Sequence, residues 1–106
     1  MEKVIRDGEV AVLYSPGFGA GWYTWNNKKD KQVVFHPKIV EMVEAERHDE
    51  ITEEWIIENL GIGNFYAGGA DDLTIEWLPI GTQFRITEYD GSESIEILGN
   101  IDFLEA

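Results

Sequence analysis

The 106-residue chain carries 8 Lys and Arg against 21 Asp and Glu, a formal charge of −13, with 43% hydrophobic residues and no cysteine. That hydrophobic content is that of a folded chain, and the length suits one domain, residues 1–106, around one core. The composition excludes a disulfide framework or thiolate site, a span of about 18 apolar residues through a bilayer, and the clustered cations that direct nucleic-acid or anionic-membrane binding needs.

The N-terminus M-E-K-V-I-R-D-G lacks the apolar core of a signal peptide, so an intracellular protein is expected. K-V-I-R, the pair Asp7-Gly8 and E-V-A-V-L-Y spell a hairpin with a tight turn. Val10 to Tyr14 is a continuous apolar run, the pattern of a buried central strand. Directly after it comes Y-S-P-G-F-G-A-G-W-Y-T-W-N, Tyr14 to Asn26, rich in glycine and aromatic residues. Polar Asn26 to Lys31 reads as an exposed loop. The sequence predicts a helix from Pro37, favoured at a first helical position, carrying Ile39, Val40, Met42 and Val43 and broken at His48-Asp49. A second helix is predicted from the N-cap Thr52 to Leu60, with Glu53 and Glu54 in its first turn and Gly61 as its stop.

The remainder reads as strands. N-F-Y-A is a short one, and L-T-I-E-W-L alternates with Leu73, Ile75 and Trp77 on one face. After a turn at Pro79 to Thr82, Q-F-R-I-T-E-Y turns Phe84 and Ile86 inward. Asp90-Gly91 makes a second tight turn before S-I-E-I-L, Ser94 to Leu98. The expected fold class is α+β: one domain with two central helices packed on a mostly antiparallel sheet, N-F-Y-A pairing in parallel with the first long strand.

The Gly-aromatic stretch is the candidate site. It is no dinucleotide fingerprint, because Trp22 stands where the third glycine belongs, and it lacks the Lys of a phosphate-binding Walker loop. Two readings stay open. In the first it is a ligand loop: Ser15, Gly17, Gly19 and Gly21 let the backbone approach a ligand, while Phe18, Trp22, Tyr23 and Trp25 offer faces for stacking. Lys28, Lys29 and Arg85 then meet negative charge. In the second, the tryptophans are core, the lysines are solvated, and Arg85 pairs with Glu76, Glu88 or Glu96 across the sheet.

Elsewhere the chemistry is sparse. Asp71-Asp72 follow G-G-A as turn residues and lack the spacing of a calcium loop. His36 and His48 have no zinc spacing, and His36 is expected to open the helix at Pro37. Ser15, Ser92 and Ser94 lack a nucleophile-elbow context. No catalytic residues, cofactor or metal are expected. The acids are uneven: to His48 the chain is neutral, and from Asp49 onward fourteen acids accompany one cation, Arg85.

G-F-G-A-G-W-Y-T-W-N, Y-A-G-G-A-D-D-L-T-I-E-W-L-P and E-Y-D-G-S-E-S-I together resemble a family of small acidic phage and prophage proteins. The resemblance covers most of the chain and implies origin alone: expression in the cytoplasm of an infected bacterium, where such proteins often counter host defences. The expected function is a non-enzymatic binding protein that captures a nucleotide-like host signal, its site completed by a second subunit. The alternative is an acidic protein, a DNA mimic, that blocks a basic site on a host protein.

Overall fold

A computed structural model describes residues 2–18, 21–98 and 104–106. Two small antiparallel sheets and three α-helices make an α+β domain. The first sheet has the order β1 (Ile5–Arg6), β2 (Glu9–Tyr14), β3 (Thr74–Pro79). Asp7 and Gly8 join β1 to β2 with φ of 51° and 77°, both positive as a two-residue type I′ turn requires. β2 is central, and its run Val10 to Leu13 is at most 1% exposed.

Between β2 and β3 lie α1 (Gln32–Phe35), α2 (Pro37–Glu44) and α3 (Glu53–Leu60). The local chemistry expected of α2 and α3 is present. Pro37 opens α2 behind the N-cap His36, whose Nδ1 accepts from the Lys38 N–H at 3.2 Å. The Thr52 hydroxyl accepts from the Trp55 N–H at 3.1 Å, and Gly61, at φ 72°, closes α3 by donating to the Ile57 carbonyl. α2 ends at Glu44, ahead of the expected break, because Glu46 takes a left-handed φ of 56°. α1, a single turn of Q-V-V-F, had no signal beyond its apolar run.

The second sheet has the order β5 (Ser92–Ile97), β4 (Gln83–Tyr89), β6 (Leu104–Glu105). β4 and β5 are joined by Asp90 and Gly91, at φ of 50° and 84°, a second type I′ turn. β5 starts two residues before the expected Ser94, because the tight turn extends the ladder to Tyr89 and Ser92.

The pairing departs from the expected single sheet in two respects. The parallel pair is not formed among the described residues: β2 takes β3 as its antiparallel neighbour along all six residues, which occupies that edge, and Asn64–Ala67 is not a strand. Nor does β3 continue into β4 as a hairpin. The corner Pro79 to Thr82 is bonded elsewhere, with the Ile80 N–H on the Gly8 carbonyl at 3.0 Å and the Gly81 N–H on the Ala106 carbonyl at 2.7 Å. Proline supplies no N–H and Gly81 takes φ 87°, so the chain turns out of one sheet into the other.

The core fills the space between the sheets and helices. α1 packs on β2, and its Phe35 meets Phe84 of β4 edge-to-face at 6.3 Å, so one helical turn bridges both sheets. Ile39, Ile56 and Ile86 are fully buried beside them. No helix among the described residues is long and apolar enough to cross a membrane.

Candidate functional site

The Gly-aromatic stretch leaves β2 where the two sheets meet, and it is organised by a residue outside it. Ser15 and Glu93 exchange bonds: the Glu93 N–H donates to the Ser15 carbonyl at 2.8 Å, and the Ser15 N–H to Glu93 Oε1 at 2.9 Å. Glu93 Oε2 accepts from the Trp22 N–H at 3.1 Å, the Thr24 N–H at 2.8 Å and the Thr24 hydroxyl at 2.7 Å. The Glu93 side chain is fully buried. Four donors on one carboxylate bend the chain around it, so the concavity of amides expected for a ligand is filled by the protein's own anion.

Sequence reasoning missed Glu93, although a signal exists. β4 and β5 pair Ile86 with Ile95 and Phe84 with Ile97, so period two sets Glu93 on the face of Ile95 and Ile97. That face carries the buried Phe84 and Ile86, and Glu93 points inward with them.

The expected site residues divide accordingly. Ser15 is buried against Glu93. A Cβ on Gly17 would collide with the Asp72 carboxylate, and one on Gly21 with the Trp25 ring, so these glycines admit neighbouring side chains. Gly19 lies outside the described residues. Trp22 is wholly buried, its Nε1 donating to the Val33 carbonyl at 2.7 Å and its ring edge-on to Phe65 at 4.8 Å, so its faces are taken by core. Phe18 is exposed. Arg85 is on the outer face of β4, 2.9 Å from Glu96, one of the three partners expected for it. Lys28 is exposed beside Lys29.

Tyr23, Trp25 and Lys29 do come together, on an open cleft of about 570 Å³ whose opposite wall is the segment Gly61 to Tyr66 after α3. Asn26 joins the walls. Its amide pairs with the Tyr66 backbone as a neighbouring strand would, accepting from the Tyr66 N–H at 2.8 Å and donating to the Tyr66 carbonyl at 3.0 Å. The rings of Trp25 and Tyr66 lie 5.8 Å apart at 36°, and both are about two-fifths exposed. Trp25 Nε1 also reaches Glu88 Oε2 at 3.3 Å, and the same carboxylate oxygen accepts from the Gly91 N–H at 2.8 Å. Burial raises the Tyr23 phenol above its ordinary range, so the ring stays neutral in the cleft wall. The sequence offered no sign that residues 61–66 take part.

Among the described residues no group of three or more His, Asp or Glu could hold a metal ion. Asp71 and Asp72 sit in a 3₁₀ turn, Ala70–Asp72, that leads into β3. No family model, curated protein or solved structure matches the chain.

Proposed function

We propose that the protein is a non-enzymatic binding protein that captures a small, planar, nucleotide-like ligand in the cleft lined by Trp25 and Tyr66. One observation carries this reading. Two large rings that would be stable in a core stand half-exposed at the mouth of a cleft of ligand size, held there by Asn26 and Glu88. Aromatic faces so presented stack on a heterocycle, worth about 1–3 kcal/mol per base. With the resemblance to phage and prophage proteins, this reading makes a nucleotide-like host signal, met in the cytoplasm of an infected bacterium, the physiological ligand we propose.

A thermal-shift screen against nucleobases, nucleosides, nucleotides and cyclic oligonucleotides tests it. A ligand at a hundred times its Kd stabilises by about 2.7 kcal/mol, a Tm rise of about 4–8 °C at this size. Trp25→Ala is expected to abolish the shift while leaving the unliganded Tm within about 3 °C, since the ring is half-exposed. No shift across the panel, or an undiminished shift in the variant, would sink the reading.

A second reading, an acidic protein that occupies a basic groove on a host protein, is favoured by the state of Arg85. The lone cation after Asp49 is already engaged by Glu96, so it neutralises no other part of the acidic half. Association with such a target should slow steeply as salt rises, and indifference to salt would remove the support.

A further inference from the structure

The groups lining the cleft also select among planar ligands, an inference that rests on the reading above. Lys29 is the one cation among the lining residues, and beside it stands Asp30, whose carboxylate accepts from the Gln32 N–H at 3.0 Å and from Gln32 Nε2 at 3.3 Å. The lining is therefore formally neutral. A polyphosphate calls for several cations, a helix N-terminus or a nest of amides aimed at it. Ser15, Trp22 and Thr24 do form such a set of amides, but the Glu93 carboxylate fills it.

Groups suited to the edge of a base are present instead. Asn27, Asn64 and Tyr23 are among the residues lining the cleft, and the polar ends of their side chains have no hydrogen-bond partner among the described residues. Both asparagines are left-handed, at φ of 63° and 57°, a conformation that asparagine adopts more readily than most residues other than glycine. An amide presents a donor and an acceptor side by side, the complement of the N6/N7 edge of adenine.

We propose that the cleft takes an uncharged purine base or nucleoside, stacked on Trp25 and Tyr66 and read at its edge by Asn27 and Asn64, with phosphates adding nothing to its affinity. Isothermal titration of the wild-type chain with adenosine, AMP and ATP, and of Asn64→Gly with adenosine, decides this. Glycine keeps the left-handed backbone at position 64 and removes the amide. Adenosine is expected to bind within about threefold of ATP, and Asn64→Gly to weaken adenosine about tenfold, the loss of one hydrogen bond, with an unchanged Tm. Affinity climbing with each added phosphate would overturn the choice of an uncharged ligand and leave a nucleotide-binding cleft standing. Full adenosine affinity in Asn64→Gly would overturn the edge reading. Heat from none of the three ligands would overturn the purine assignment, while a thermal shift with another heterocycle would keep the cleft itself.

Discussion

Glu93 shows how one side chain decides the course of a thirteen-residue segment. A buried carboxylate is costly unless its lone pairs are filled, and here the donors are backbone and hydroxyl groups, with no Lys, Arg or His in an ion pair with it among the described residues. The reciprocal dependence is strong: without the carboxylate, the N–H groups of Ser15, Trp22 and Thr24 lose their acceptor. At about 1–3 kcal/mol for each buried group left unmade, Glu93→Ala should destabilise the fold by on the order of 4 kcal/mol, among the largest effects a single substitution has. Glu96, three residues along the same strand, faces solvent in an ion pair with Arg85, and Glu96→Ala should cost about 0–1 kcal/mol. Urea midpoints of the two variants check the contrast. Similar midpoints would mean that the loop does not depend on Glu93.

At the scale of elements, the helix caps make stability depend on pH. The His36 imidazole caps α2 through Nδ1, which can accept the Lys38 N–H only while unprotonated. Burial, with a smaller effect from the nearby Lys38 charge, lowers its pKa below the ordinary imidazole value of about 6.5, against an opposing pull from Glu2. The unfolded chain therefore holds the proton at a pH where the folded chain has released it. The stability this contributes is complete above about pH 6.5 and is lost as pH falls through the lower folded value. Thermal melts from pH 7.5 to 5 should show a fall in Tm that is shallower in His36→Asn, because asparagine caps without titrating. Parallel curves would acquit the imidazole. This cap belongs to what was legible in the sequence, as do the two Asp-Gly turns, Thr52 and Gly61: each is satisfied within about four residues, so a short window contains both partners. The donors to Glu93 lie 69 to 78 residues away, and nothing in S-E-S-I-E-I says who would meet a carboxylate turned inward. Trp22 and Trp25 show the same limit. Three residues apart in one aromatic run, one is core and the other half-exposed, and the difference is made by Phe65, Val33 and Tyr66 from elsewhere in the chain.

At the scale of the whole molecule, the excess of acids makes folding a contest between packing and self-repulsion. The three ion pairs among the described residues, Arg6–Glu44, Arg47–Glu50 and Arg85–Glu96, are all exposed, and each is worth little. They engage three of the eight cations, while the formal charge stays at −13. Compacting that charge costs free energy that the extended chain avoids, so screening should favour the folded state. The Debye length falls from about 30 Å at 0.01 M salt to about 8 Å at 0.15 M, shorter than the 22 Å minor extent of the molecule. The urea midpoint is therefore expected to rise over that range, and to rise equally in NaCl and KCl, because screening does not distinguish them. A falling midpoint would mean that the arginine pairs outweigh the repulsion. MgCl₂ at matched ionic strength separates screening from site binding: an equal rise leaves repulsion as the whole cause, whereas a much larger one would expose a specific site for a divalent cation among the acids.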